Sequence, residues 1–410
     1  MVLFRTLACA ALLAGAPCAL AQTLSLEDVL RASEEESPRL AARRHAVSAA
    51  GEMVGRAGEL PDAKLRFGLE NLPVNRANRF RFDQDFMTMR AIGVMQEFPN
   101  AAKREARNLR AERARDLETS GLAAERVAVR RETALAWLEV HYAERALEVL
   151  EHLAGSFKLQ IEAVASGVAA GRQNAADSFA LRQAEERAFD RVLEQRRQVA
   201  RARIALATWI GAAAQRPLGA APDTARLPAP REDLLARLAA EPMLRVFGER
   251  EDLARAEVAL ARTTKESDWS LEVGYAQRSP SFSNMLTVMV TLDLPWQSER
   301  RQDRDVAAQL ALAERARAER EDARRTREAE VRGWLADFDA AAARLARVES
   351  LQQPLARERA EAALAAYRGG RGELAPVLEA ARNQTETELA LVGAQTARAR
   401  AWARLAHLYD

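Results

Sequence analysis

The chain has 410 residues, with 61 Lys and Arg against 59 Asp and Glu, for a formal net charge of +2. That balance disfavours a nucleic-acid binder, which carries a basic excess or patch. Aromatics at 5% are too few for several compact cores, and the dominance of Ala, Arg, Glu and Leu is the composition of long helices.

The chain opens on an export signal. Arg5 is followed by the short apolar run Leu7 to Leu13, and Ala19-Leu20-Ala21 matches a small-residue cleavage site, so the mature chain is expected to start at Gln22. Residues 1–21 hold both cysteines, Cys9 and Cys18, so cleavage removes every thiolate ligand and any disulfide. Pro17 directly before Cys18 fits a lipoprotein signal poorly, and no lipid anchor is expected. No later stretch of 18 apolar residues exists for a membrane helix. Any crossing must then use β-strands.

The remainder reads as a tandem repeat. Glu27-Asp28-Val29-Leu30 returns as Glu232-Asp233-Leu234-Leu235, and Pro38 returns as Pro242. Pro99 matches Pro295, Trp137-Leu138 matches Trp334-Leu335, and Gly171-Arg172 matches Gly370-Arg371. The order is kept and the offset stays near 200 residues, the mark of a duplication. The boundaries follow: residues 22–216 form the first half, 217–230 a linker rich in Pro and Gly, and 231–410 the second half.

Each half reads as helix, two strands and a long helical hairpin. The first helix is expected from about Ser25 to Gly58, with its copy from about Arg231 to Lys265. The period then changes to two. Leu65, Phe67 and Leu69 alternate with Lys64, Arg66 and Glu70, and Met87 to Phe98 makes a less regular second strand. In the second half Trp269, Leu271, Val273 and Tyr275 alternate with Ser270, Glu272, Gly274 and Ala276. Leu286, Val288, Val290 and Leu292 alternate with Met285, Thr287, Met289 and Thr291. Segments of about ten residues, apolar on one face and polar on the other, are the pattern of membrane-barrel strands. An antiparallel sheet with one wet face has the same pattern. Four strands cannot close a barrel, so closure needs several chains, and three would supply twelve strands.

Beyond Pro99 and Pro295 the helical pattern continues to Gly171 and Gly370, about 110 Å at the rise of an α-helix. Leu122, Val129, Leu135, Leu138, Tyr142, Leu147 and Leu150 recur at coiled-coil spacings. Gly121, Gly333 and Pro354 interrupt the pattern and mark expected bends. His45, His141, His152 and His407 are scattered and make no metal motif, so neither a catalytic group, a metal site nor a cofactor is expected. Met87, Met89 and Met95 invite a soft-metal reading, but lipid-facing bulk is the simpler expectation.

These features resemble the TolC-like outer membrane efflux protein family. The resemblance rests on Glu59-Leu60-Pro61-Asp62, Glu70-Asn71-Leu72-Pro73, Gln96-Glu97-Phe98-Pro99 with Lys103-Arg104, and the two glycine turns. Within the family the chain looks most like the heavy-metal branch of resistance–nodulation–division (RND) channels, the cobalt–zinc–cadmium CzcC group. The resemblance implies a mainly α fold with a small β part. Three chains would combine long helical hairpins into a periplasmic α-barrel, with four strands each in a 12-stranded outer-membrane β-barrel. It implies a homotrimer in outer-membrane lipid, a periplasmic membrane-fusion adaptor and an inner-membrane RND pump. Such a chain is a passive conduit for metal cations and not an enzyme. Export of drugs or organic solutes is the alternative within the family, and a periplasmic coiled-coil scaffold without a pore is the alternative outside it.

The resemblance also carries residues. Ala170-Gly171-Arg172 and Gly369-Gly370-Arg371 match the turns that meet the adaptor. Pro376 and Glu379 match two acidic positions of the pore entrance, of which only Glu379 keeps the acid. Asp177 matches an acidic gate residue whose arginine partner would fall at Gly372, so that link is lost.

Overall fold

The structure, a computed structural model, describes residues 23–169 and 174–409. The export segment 1–21 and the turn Ala170-Gly171-Arg172 lie outside the described residues. In chain order the elements are α1 (Leu26–Glu36), α2 (Pro38–Ala57), β1 (Lys64–Glu70), β2 (Met89–Phe98), α3 (Ala101–Ala169), α4 (Ala175–Ile210), α5 (Arg231–Ala236), α6 (Pro242–Thr263), β3 (Trp269–Gln277), β4 (Met285–Leu292), α7 (Gln302–Arg347), α8 (Gln353–Arg368) and α9 (Leu374–Ala406). No helix among the described residues is long and apolar enough to cross a membrane.

The expected first helix is two helices. Ser37 is extended (φ −66°, ψ 115°), and its hydroxyl accepts the Leu40 N–H. Pro38 is the cause: it lacks an N–H and fixes φ, so it can start a helix but not continue one, and it pushes the residue before it out of the α region. Pro242 does the same to the copy. There Glu241 is extended (φ −62°, ψ 132°) before α6, and a 3₁₀ turn, Arg237–Ala240, follows α5.

The chain forms two compact units, which combine distant segments. One unit comprises the segment ending at Glu36, Thr133–Thr224 and Leu345–Thr396. In it α1 packs on α4, Leu24 makes a parallel bridge to Leu218, and the Trp137 indole donates to the Leu24 carbonyl (3.2 Å). A second cluster joins Leu150, Leu153 and Phe157 of α3, Leu181 and Val192 of α4, and Leu374 and Val377 of α9. The coiled-coil stripe is accordingly inward: Leu138, Tyr142 and Leu150 are buried.

The other unit comprises Ser37–Glu132, Ala225–Arg344 and Ala397–Asp410. Its helical core gathers Leu234, Leu238, Val331, Leu335, Leu405 and Leu408. Its sheet is antiparallel throughout, in the order β1-β2-β3-β4. One face carries the rows Leu65–Val94–Val273–Val288 and Phe67–Ile92–Tyr275–Leu286. All eight of these side chains are exposed, from Val273 at 43% to Phe67 at 79%. The opposite face carries Lys64–Met95–Glu272–Met289 and Arg66–Gly93–Gly274–Thr287. Met89 and Met95 therefore lie on the polar face, against the lipid-facing expectation, because they share parity with Gly93 while Ile92 and Val94 occupy the other face. Met87 precedes the strand.

The strand-to-helix junction is built from Pro99 and Asn100. The Asn100 side chain accepts the Lys103 N–H (2.6 Å) and so caps α3. The Asn100 N–H donates to Asp268 (2.9 Å), whose second oxygen pairs with Lys103. Phe98 and Trp269 stack at 4.2 Å between ring centroids. Of the three expected bends only one falls at a break. Gly121 and Gly333 lie inside continuous helices, while a π turn, Val348–Gln352, separates α7 from α8 just before Pro354. The wider turn accommodates a proline that cannot donate to the helix ladder.

Candidate functional site

The second glycine turn is fully described. α8 ends as the Gly369 N–H donates to the Ala365 carbonyl, Gly370 to Tyr367 and Arg371 to Ala366, each at 3.0 Å. Gly370 sits at φ +69°, a left-handed conformation that a Cβ strains. A Cβ on Gly372 would meet the Ala366 Cβ at 3.2 Å and the Tyr367 N at 3.3 Å. The position matched to the missing arginine is thus pressed against the end of α8. Gly370→Ala is expected to cost about 1 kcal/mol from the left-handed backbone; a urea midpoint unchanged from wild type would contradict this.

Asp177 lies in the first turn of α4, whose cap is Asn174: its side chain accepts the Ala176 N–H. The carboxylate of Asp177 accepts a hydrogen bond from the Tyr367 hydroxyl at 3.1 Å. This partner was not foreseen from the sequence. Burial, with the Asp177 carboxylate beside it, pushes the Tyr367 hydroxyl up to about 12. A folded value above the ordinary ~10 means that this link is fully present below pH ~10 and is lost as pH rises through about 12.

α9 begins at Leu374, so Pro376 stands in the first turn, where a missing N–H leaves no helical bond unmade. Leu374 and Val377 are buried and seat the helix. Glu379 is exposed and pairs with Arg359 of α8 at 2.8 Å. It also lines a groove of about 300 Å³ with Leu153, Phe157, Arg187, Arg191 and Arg382. Tyr367 and Arg359 are thus the residues brought to Asp177 and Glu379, while Ala170, Gly171 and Arg172 are outside the described residues. No group of three His, Cys, Asp or Glu able to hold a metal occurs among the described residues.

The polar face of the sheet has its own charge cluster. The Arg66 guanidinium crosses the Gly93 position to reach Glu272 (3.3 Å) and also meets Glu70 (3.4 Å). Gly93 and Gly274 are paired, and a Cβ on Gly93 would meet the Gly274 Cα at 3.2 Å. Lys64 pairs with Glu97 along the same face.

No protein-family profile and no curated protein matches this chain. Solved structures do match. A membrane protein from Pseudomonas aeruginosa superposes with a TM-score of 0.79 at 21% identity, covering 94% of this chain and 90% of its own. CusC, described for folding and transmembrane channel formation, gives 0.79 at 14% identity, covering 94% and 92%. The outer membrane protein VceC from Vibrio cholerae gives 0.77 at 17% identity, covering 93% and 95%. The fold expected from the resemblance, long helices with a small sheet, is therefore the fold found; the CzcC branch is not singled out.

Proposed function

We propose that the chain is the outer-membrane channel of a tripartite efflux system, a passive conduit that carries heavy-metal cations out of the periplasm. One observation supports this most: a four-stranded sheet with an exposed apolar face, a charged opposite face and two unpaired edge strands. In water such edges and faces favour aggregation. In a membrane the same sheet is complete once copies close it into a barrel. Three chains give twelve strands, with the apolar rows towards lipid and Arg66, Glu70 and Glu272 towards the lumen. The helices joined to the strands, α2, α3, α6 and α7, connect at one end of the sheet, as a periplasmic tunnel requires, and an adaptor and an RND pump would dock through Gly369, Gly370 and Arg371, with Ala170, Gly171 and Arg172 at the companion turn. The halves 22–216 and 231–410 would be duplicated copies joined by 217–230. The heavy-metal assignment rests on the resemblance to the CzcC group.

At the entrance, three copies of Glu379 would form a carboxylate ring, which attracts cations. The Arg359 pair moderates that field, since an exposed pair of this kind contributes at most about 1 kcal/mol. In planar bilayers Glu379→Ala channels are expected to lose cation preference severalfold and Arg359→Ala channels to gain it. Equal reversal potentials for wild type and both variants would contradict the ring. The Asp177–Tyr367 link would hold the tips closed, so Tyr367→Phe channels should be open for a larger fraction of time. A deletion strain tests the cargo: sensitivity confined to cobalt, zinc, cadmium, nickel, copper or silver is the expected result. Sensitivity confined to dyes, bile salts or antibiotics would overturn the metal assignment and keep the channel.

A further inference from the structure

The end of the sheet away from the helices carries an unusual set of arginines. Register places Glu70 beside Met89, Arg90 beside Gln277, and Ala276 beside Met285. The β1–β2 loop (71–88) and the β3–β4 loop (278–284) therefore share this rim. Arg76, Arg79, Arg81, Arg90 and Arg278 stand there, and none is ion-paired with a carboxylate among the described residues, whereas Arg66, a few residues away, holds two. The local acids are Glu70, held by Arg66, and Asp83 and Asp85, of which Asp85 is engaged by the Met87 N–H (2.8 Å). Arg278 donates to the Phe86 carbonyl and lies over the Phe282 ring (5.1 Å), yet its Nε is buried without a partner.

Arg90 gives the rim its direction. It is exposed and lies in one row with Leu69 and Gln277, on the apolar face of the sheet. An arginine on a lipid-facing position is costly at the bilayer midplane and nearly free at the interface, where it lies beside lipid headgroups. Phe80, Phe82 and Phe86 stand exposed in the same loop, at 49–58%. Guanidinium forks bind phosphate oxygens two at a time, and exposed phenyl rings suit acyl chains. A basic rim with apolar side chains is complementary to one kind of partner, an anionic lipid.

We propose that this rim binds the phosphates of a phosphorylated, multiply acylated glycolipid of the outer leaflet, of the lipid A type. The inference rests on the outer-membrane reading above. The site orders the β1–β2 loop and fastens the barrel to its outer leaflet.

The test uses full-chain protein extracted from outer membranes in detergent and titrated with bisphosphorylated lipid A. Melting is read from the heat-dependent loss of the oligomer. Wild type should melt several degrees higher with lipid A, and not with phosphate-free lipid A or inorganic phosphate. Arg79→Ala/Arg81→Ala/Arg90→Ala should need at least about tenfold more lipid for the same shift, one charged hydrogen bond's worth. Arg90→Lys, which keeps the charge and loses the fork, should fall between. A triple variant that responds at the wild-type concentration overturns the inference, as does an equal shift with the phosphate-free lipid. An equal shift with inorganic phosphate makes the rim a free-anion site and also overturns it. Each of these leaves the channel reading intact. Recovery of the wild type only as a soluble monomer overturns both.

Discussion

Val288→Arg should abolish assembly in the outer membrane. Val288 lies near the middle of β4 in the row Leu65–Val94–Val273–Val288 and is 63% exposed in the single chain. In a closed barrel that exposure faces hydrocarbon, and arginine at the midplane costs about 2–4 kcal/mol per site. In the proposed trimer three copies would multiply the penalty. Thr287→Arg, one residue away, points to the opposite face, beside Gly274 and in the row that begins at Arg66. It is expected to assemble normally and to alter ion selectivity. The pair of variants has the same added charge and volume, so the contrast isolates the face. Heat-sensitive oligomer in the membrane fraction is the readout. Equal assembly of both variants would mean that the Val288 row does not meet lipid.

Glu241→Ala should be the most damaging single change in the helical part. Glu241 is 1% exposed and sits just before α6. Arg327 of α7 grips both its oxygens through Nε, at 2.7 and 2.8 Å, and also pairs with Glu330 at 2.7 Å. The Arg327 guanidinium lies over the Trp334 ring at 4.8 Å. Burial works against the charge of Arg327, and the two carboxylates outweigh it and hold the group more firmly protonated. The start of α6 adds a favourable dipole for the Glu241 carboxylate. Removing that carboxylate leaves the buried Arg327 with only the half-exposed Glu330 as partner, at a cost of about 3 kcal/mol. The double variant Glu241→Leu/Arg327→Met removes both charges and should recover much of the loss. Urea denaturation of the three proteins decides this. A single variant as stable as wild type would show that solvent reaches Arg327.

The comparison of sequence and structure turns on which signals are local. Strand alternation is local, and Trp269 to Gln277 and Met285 to Leu292 were readable as strands from parity alone. The breaks at Pro38 and Pro242 were legible too, since proline disfavours a helical conformation in the residue before it, yet the helical pattern on both sides hid them. Parity also held the answer for Met89 and Met95. Their apolar character pointed to lipid, whereas the glycine and alanine sharing their face pointed to the lumen. The partners at the tip were not legible. Tyr367 and Asp177 are 190 residues apart and Arg359 and Glu379 are 20 apart, and neither spacing is a helical neighbour relation. Only the packing of α4, α8 and α9 brings them together.

The central claim is that the sheet becomes part of a barrel with one face in lipid and the other in water. The described residues contain no cysteine, so single cysteines from position 285 to 292 can be probed one at a time in intact outer membranes. A water-soluble maleimide should label positions 285, 287, 289 and 291 and spare 286, 288, 290 and 292. Labelling of all eight positions would place β4 in water on both faces and contradict the account.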